Sequence, residues 1–131
     1  MAVADRNGLP LACWIASGAR HETKLVQDTL NARFVRALPE KLIGDKAYDS
    51  DPLDAELARR GVELIAPHHP RRSTKTQDLR KLRRYKRRWH VERLFAWLLR
   101  CRRLVTRWES SAENFLALVR LACARLLWSR L

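Results

Sequence analysis

Two acidic residues of this chain stand where a metal-dependent enzyme could use them. Asp45 ends the short apolar run 41–45, and Glu92 lies beside an apolar helical pattern much further along. The spacing is weak support by itself, because many proteins have an acid in each place. Both acids are expected to converge near the most basic segment, where phosphates would collect. There they could hold Mg²⁺ or Mn²⁺ for phosphodiester chemistry, in which the ions activate an attacking hydroxyl and stabilise the leaving oxygen.

The excess positive charge of the chain is confined to one segment. The net charge is +13, and residues 71–107 hold 15 of the 27 Lys and Arg residues but only two acids, so the rest of the chain is balanced. Such a block repels itself unless a polyanion is nearby, and binding nucleic acid phosphates releases condensed counterions. A solvated basic helix face is the alternative. Tyr85 and Trp89, interleaved among arginines, favour nucleic acid.

Residues in and around this segment are candidates for DNA contacts. Arg88, one helical turn before Glu92, could reach a phosphate oxygen with its planar fork of donors, or pair with Glu92 itself. Trp89 is predicted to belong to the core, whereas Tyr85 could pack or contact DNA. The candidate DNA-binding residues are Lys46, Arg71, Arg72, Lys75, Arg84, Tyr85, Lys86, Arg87 and Arg93.

Short apolar runs punctuated by turn residues predict an α/β fold. Residues 1–4 and 9–15 read as strands around Asp5-Arg6-Asn7-Gly8, whose Asn-Gly pair accepts positive φ in a hairpin. The runs 41–45 and 62–66 predict two more strands, and the helix between them implies a parallel pair with a right-handed crossover. Asp45 would then emerge at the carboxyl edge of a sheet.

Four segments carry helical signals. Residues 21–30 have an apolar face, and the helix between the last two strands is expected to begin with Asp51 as N-cap and Pro52 at its first position. Residues 110–130 open with the capping box Ser110 to Glu113. Residues 82–100 predict a helix that carries Glu92 beside the sheet-facing stripe Val91, Leu94, Phe95 and Leu98.

The remaining features predict neither a structural metal site nor a membrane protein. Residues 67–80 read as a basic loop in which His68 and His69 are solvated. The cysteines, Cys13, Cys101 and Cys123, lack short metal spacing, so we expect core thiols rather than zinc ligands or disulfides. No apolar run reaches the roughly 18 residues needed to cross a bilayer, so the expected location is the cytoplasm, without a membrane partner.

Taken together, the motifs of this chain resemble bacterial insertion-sequence transposases of the DDE type, in the IS-five-like group. The resemblance covers essentially all of residues 1–131, which would form the C-terminal portion of the catalytic domain. It rests on Val3-Ala4-Asp5-x2-Gly8, Gly18-x2-His21, Leu42-Ile43-Gly44-Asp45-Lys46-Ala47-Tyr48-Asp49-Ser50, Tyr85-x2-Arg88-x3-Glu92-Arg93-x-Phe95 and Arg102-Arg103-Leu104-x2-Arg107.

The resemblance implies a ribonuclease H-like fold, with a mixed sheet flanked by helices, in which Asp45 is the second and Glu92 the third acid of a catalytic triad. It also implies an active-site role for Arg88. The first acid would lie upstream of Met1, so this chain lacks the first strand of the fold. Asp5 matches the hairpin turn and is interpreted as a turn former. Leu99 stands where the family has a lysine.

The resemblance further implies metal-dependent DNA cleavage and strand transfer at insertion-sequence ends. The expected partners are terminal inverted repeats, target DNA, a second copy of the chain and an upstream transposase segment that supplies the first acid. Because that acid is absent from this chain, whether the chain alone is an enzyme stays open. The alternatives are a nonenzymatic DNA-binding regulator and an inert, truncated relic of a transposase.

Overall fold

A computed structural model describes residues 1–72 and 83–130, and in it the chain divides into two compact units. The first unit consists of Met1–Arg36 and Trp89–Leu131, and the second of Ala37–Arg88. Within the described residues each unit has one two-stranded sheet with helices, which confirms a mixed α/β protein. The predicted single mixed sheet is not what these residues form. Their strands have three or four residues each and pair within their own unit.

The first unit opens with the predicted hairpin. Strand β1 (Ala2–Ala4) pairs antiparallel with β2 (Pro10–Cys13). The Asp5 carboxylate accepts the backbone N–H groups of Asn7, at 2.8 Å, and Leu9, at 2.7 Å, as expected of a turn-forming aspartate. Only the glycine of the Asn-Gly pair takes the left-handed conformation, Gly8 having φ 77°.

Three elements pack around this hairpin. Helix α1 (Glu22–Asn31) is capped by the His21 side chain and buries the apolar face that its spacing predicts. Helix α3 (Trp89–Leu98) lies against β1, and helix α5 (Ala112–Trp128) lies against β2 and α3. The short helix α4 (Arg102–Val105) joins α3 to α5. The buried core cluster of these elements contains Cys13, Leu94, Leu98, Leu116, Ala122 and Cys123.

Helix α3 departs from its predicted pattern in three ways. Its α-helical part begins at Trp89, because residues 83–88 form a 3-10 helix, and residue 82 lies outside the described part of the chain. Leu94 and Leu98 are buried as predicted, but Phe95 is 44% exposed, because the helix contacts the unit through a narrower stripe than the helical arc suggested. Trp89, predicted to belong to the core, is 48% exposed.

Trp89 instead begins a stacked column of aromatic rings and guanidinium groups, the Trp–Arg column. The Arg93 guanidinium lies 4.7 Å from the ring centre of Trp89 and 5.1 Å from that of Trp97. The Arg130 guanidinium also lies over Trp97, 4.8 Å from its ring centre. Arg93 further donates to the Asn7 carbonyl. Helix α3 is thereby tied both to the hairpin turn and to the residues that follow α5.

The cysteines lie where the sequence places them. Cys13 and Cys123 are buried, Cys101 is partly buried, and all three are free thiols. A hydrogen bond between the Cys13 and Cys123 thiols raises the pKa of Cys123, and burial raises it further. Cys123 is therefore a neutral core residue, as its interpretation as a small hydrophobe requires.

The second unit contains the predicted parallel pair. Strand β3 (Lys41–Ile43) pairs with β4 (Glu63–Ile65), and helix α2 (Asp51–Arg59) crosses between them and packs on β4 through Leu53 and Leu57. The helix starts one position earlier than predicted, with Ser50 as N-cap and no side-chain cap bond. The N-cap of α5 lies one position later than predicted, since Ser111 rather than Ser110 accepts the N–H groups of Glu113 and Asn114.

Replacing Gly8 by Ala should destabilise the first unit. An L-residue at this positive φ costs about 1–2 kcal/mol, and a Cβ here would also lie 2.8 Å from Arg93 Nε and 3.2 Å from the His90 carbonyl oxygen. We expect a loss above about 2 kcal/mol in the free energy of unfolding, measured by urea titration with NMR signals from each unit.

Two other glycines separate these causes. Gly61→Ala has the same backbone cost, φ being 75°, with open space around the Cβ, and Gly18→Ala has open space and an ordinary φ. Gly61→Ala should therefore cost about 1–2 kcal/mol and Gly18→Ala less than about 0.5 kcal/mol. Equal losses at Gly8 and Gly61 would show that the close approach of Arg93 contributes nothing.

Candidate active site

Asp45 lies in a tight turn at the carboxyl edge of the parallel pair, as predicted. The ladder continues one residue past β3, where the Gly44 N–H donates to the Ile65 carbonyl at 3.1 Å. The partly exposed Asp45 side chain then accepts the Ala47 N–H at 2.8 Å and caps the 3-10 turn Lys46–Tyr48. The carboxylate is thus held at a sheet edge with one oxygen bonded to its own turn.

The ring of Tyr48 closes this turn from one side. A Cβ on Gly44 would lie 2.8 Å from Tyr48 Cδ2, so only glycine lets the ring pack directly over the backbone at this position. The residue before Asp45 and the residue three positions after it are consequently in contact, which limits the conformations open to the acid between them.

A second acid of the same segment, Asp49, is held by three groups from the loop after β4. Its side chain is 5% exposed. It bonds to His68 Nδ1 at 2.9 Å, accepts the backbone N–H of His69 at 2.7 Å and pairs with Arg72 Nη1 at 2.7 Å. Arg72 also pairs with the exposed Asp51. We call Asp49, His68, His69 and Arg72 the Asp49 clasp.

The clasp corrects one prediction and engages one of the candidate DNA-binding residues. His68, expected to be solvated, has a side chain only 16% exposed and contacts Asp49, because the parallel pairing of β3 and β4 brings the two following loops to one edge. Arg72, a candidate for DNA contacts, pairs with two carboxylates, and its contact with DNA stays a prediction. Asp49 was not among the predicted site residues, although it stands in the quoted motif Ala47-Tyr48-Asp49-Ser50.

Burial and hydrogen bonding act in opposite directions on Asp49. Burial alone would raise the pKa of this carboxyl, but the bonds from His69 and His68 and the charge of Arg72 outweigh it and lower the pKa below its usual range. The nearby Asp54 behaves oppositely, because burial and its neighbours Asp51 and Asp49 raise its pKa. The surroundings of Asp49 therefore favour its ionised form.

Exposed cations lie beside strand β3. The 3-10 helix Arg83–Arg88 contacts β3 within the second unit. Its partly buried Tyr85 accepts a hydrogen bond from Arg88 Nη1 at 3.2 Å and lies under the Arg88 guanidinium, 5.4 Å from the ring centre. The other basic residues of this 3-10 helix are exposed as well: Arg83, Arg84, Lys86 and Arg87. Tyr85 and Arg88 thus share one face, as their spacing predicts.

The other candidate residues lie elsewhere. Glu92 is exposed in the first turn of α3, in the first unit, where Arg93 is directed inward to the Trp–Arg column. Lys46 and Arg71 are exposed in the second unit, and Lys75 lies outside the described residues. Because Asp45 and Glu92 belong to different units, their convergence stays a prediction.

Neither a preformed ion site nor a membrane segment is found in the described part of the chain. Residues 1–72 and 83–130 contain no group of three or more His, Cys, Asp and Glu side chains arranged to hold a metal ion. Over the same ranges no helix has the length and apolar character needed to cross a bilayer.

Comparison with known sequences assigns a class to this arrangement. The family described as "Transposase DDE domain" matches residues 1–127. A Burkholderia cepacia protein named as a transposase for insertion sequence element IS402 is 31% identical over 137 residues, and a Brucella ovis protein named as a transposase for insertion sequence element IS6501 is 33% identical over 131 residues. Each match covers 98% of this chain. The chain spans 62% of the length of the first relative and 95% of the second. No solved structure matches the chain significantly.

Replacing Asp49 by Asn should destabilise the second unit in a pH-dependent way. Since the folded pKa of Asp49 is lowered, its ionised form stabilises the fold above the unfolded pKa of about 3.9, and this contribution is lost as pH falls through the folded pKa. We expect a loss of about 1.5–3 kcal/mol near pH 7 that shrinks steadily below about pH 4.

The measurement is urea unfolding of both proteins between pH 3 and pH 7. Asp51→Asn is the matched control, because Asp51 shares Arg72 but its side chain is 74% exposed. Its loss should stay below about 1 kcal/mol, as for surface ion pairs. A loss for Asp49→Asn that is the same at pH 3 and pH 7 would mean that the carboxylate charge is not what stabilises the edge.

Proposed function

Because the chain belongs to the transposase DDE domain family, we propose that it forms part of a DNA transposase that cuts DNA strands at insertion-sequence ends and joins them to target DNA. The observation that carries the proposal is the family match over residues 1–127, which spans both Asp45 and Glu92. We also propose that, in the complete protein, its two units belong to a ribonuclease H-like catalytic domain.

Asp45 and Glu92 are proposed to hold the divalent metal ions of the reaction. Their donor chemistry fits Mg²⁺ or Mn²⁺, which prefer carboxylate oxygens, and both side chains reach solvent. When bound, such ions activate a water or a 3′-hydroxyl and stabilise the leaving oxygen of an in-line displacement. Asp45 contributes an orientation fixed by its turn, since the bond to the Ala47 N–H limits its rotation.

The exposed cations beside β3 are proposed to bind the DNA backbone. Lys46 and the basic residues of the 3-10 helix flank the strand that leads to Asp45, so a phosphate bound there would lie near the acid. Arg88 is proposed to contact the reacting strand, with Tyr85 orienting its guanidinium through the hydrogen bond between them.

The complete activity is proposed to need residues beyond this chain. The resemblance places the first catalytic acid upstream of Met1, and the first relative is longer than the matched region. We therefore propose that an upstream transposase segment supplies that acid, that two copies act together on a pair of DNA ends, and that both work in the cytoplasm. Inverted repeats and target DNA are the proposed substrates.

Replacing Glu92 by Gln should abolish cleavage without weakening DNA binding. Glutamine keeps the size of the side chain but loses the charge that a metal ion needs. With the chain joined to its upstream sequence, we expect Mg²⁺-dependent nicking of end-containing DNA to fall by at least about 100-fold, while the Kd for the same DNA changes less than about twofold.

Glu113→Gln is the matched control, since Glu113 is also an exposed acid in the first turn of a helix. It should leave both nicking and the Kd unchanged. Undiminished nicking by the Glu92 variant would remove its catalytic assignment. If the joined protein binds DNA but never nicks it, the regulator hypothesis is the better one.

Replacing Arg84, Lys86 and Arg87 together by Gln should lower the salt dependence of DNA binding. Each phosphate that the protein no longer neutralises reduces the slope of log K against log salt concentration by about one. The control triple variant Arg6, Lys24 and Arg125 to Gln changes the net charge equally at exposed positions of the first unit. Fluorescence anisotropy at several salt concentrations measures both slopes. Equal slopes for the two triple variants would show that the charges of the 3-10 helix contribute no more to DNA binding than other surface charges do.

A further inference from the structure

The Asp49 carboxylate has no role in the proposed chemistry, yet its side chain is only 5% exposed. Removing a carboxylate from water costs several kcal/mol unless strong donors replace the lost hydration. Here three donors do so: His68 Nδ1 at 2.9 Å, the His69 N–H at 2.7 Å and the Arg72 guanidinium at 2.7 Å. A solvent-exposed carboxylate would not need three donors from the protein. The clasp therefore indicates that the segment ending at Asp49 must be held in a fixed position.

That segment is the turn that carries Asp45. Its first residue is fixed by the ladder bond from the Gly44 N–H to the Ile65 carbonyl, and its last residue is Asp49. Both attachments are to the β4 strand and the loop that follows it. Asp45 lies between them, with the Ala47 N–H bonded to its carboxylate and Tyr48 packed on Gly44. A turn fixed at both ends has few ways to rotate the acid at its centre.

From this geometry we propose that Asp49 is a positioning residue for Asp45. The clasp holds the carboxyl end of the turn against the loop after β4 and so sets the direction in which the Asp45 carboxylate faces. This inference rests on the proposed function only for what Asp45 binds, because the positioning itself is a property of the second unit. Asp49 itself is proposed to touch neither metal ion nor DNA.

Asparagine is the informative replacement at this position. It keeps the volume of the side chain and one oxygen that can accept the His69 N–H. It carries no charge for Arg72, and its NH₂ group presents a donor where Asp49 presented an acceptor to His68 or Arg72. The clasp should therefore loosen while the core of the second unit, around Leu57 and Ile65, stays packed.

The direct readout is the Ala47 amide, which reports the Asp45 carboxylate without any activity assay. In Asp49→Asn we expect amide hydrogen exchange at Ala47 to be accelerated at least about tenfold more than at Gly44, whose amide in the β3–β4 ladder stays protected. The ladder amide shows that the unit is still folded. Glu56→Gln, an exposed acid on α2, is the control and should leave both amides as they are. Should Asp49→Asn fail to fold, Arg72→Gln loosens the same clasp from its more exposed side.

Titration with Mn²⁺ alone, in the same full chain, connects this positioning to the proposed function. Asp45→Asn should remove the site at the turn, and Asp49→Asn should weaken Mn²⁺ binding about tenfold, the smaller end of losses for groups that support a metal ligand. Asp49→Glu, which keeps the charge but lengthens the side chain, should restore affinity in part. This partial recovery would show that the negative charge at position 49, and not only the size of the side chain, holds the clasp together.

The two readouts separate the possible failures. Unchanged Ala47 exchange in a folded Asp49→Asn or Arg72→Gln protein overturns the positioning role. Faster Ala47 exchange in a chain that binds no Mn²⁺ supports the positioning role and shows that Asp45 does not hold the ion in this chain alone. Faster exchange together with weaker Mn²⁺ binding supports both.

Discussion

The parallel pairing of β3 with β4 is the constraint on which the candidate site depends. Three residue pairs form this ladder, and Gly44 extends it by one further bond. Because parallel strands end at the same edge, the ladder brings the turn of Asp45 and the loop of His68 side by side. The charged clasp and the packing of Tyr48 act on segments that the ladder has already aligned. A buried carboxylate can be satisfied by three donors only where the backbone fold brings all three donors within hydrogen-bond distance of it.

The sequence predicted the local elements well, because the rules that set them act over short distances. Alternating apolar residues and turn residues located the hairpin, the parallel pair and the helices, and they placed Asp45 at a strand end. Helix caps were displaced by one residue at Ser50 and Ser111, since neighbouring residues of similar chemistry compete for the cap. Phe95 shows a further limit, because a helical wheel gives the direction of an apolar face and not its width.

What could not be predicted depends on pairs far apart in the chain. Asp49 meets His68 and Arg72 across 19 and 23 residues, and nothing in their separate surroundings marks them as partners. The same holds for Arg93, which contacts Asn7 across 86 residues. Composition counts charges, but only tertiary structure tells which of them are already engaged. The role of Glu92, which spacing alone left open, stays a proposal that rests on the resemblance to the family.

The Trp–Arg column also makes the energetics of the first unit non-additive. Arg93 makes cation–π contacts with two tryptophans and also donates to the Asn7 carbonyl, and Trp97 contacts two arginines. Removing any one member leaves its neighbours with an unpaired face, so the effects of two substitutions in the column will not sum to the effect of the pair. A double-mutant cycle on two of these residues therefore measures the coupling of the whole column and not of one isolated pair. Substitutions in the column are also expected to affect the hairpin turn at Asn7 and the residues that follow helix α5.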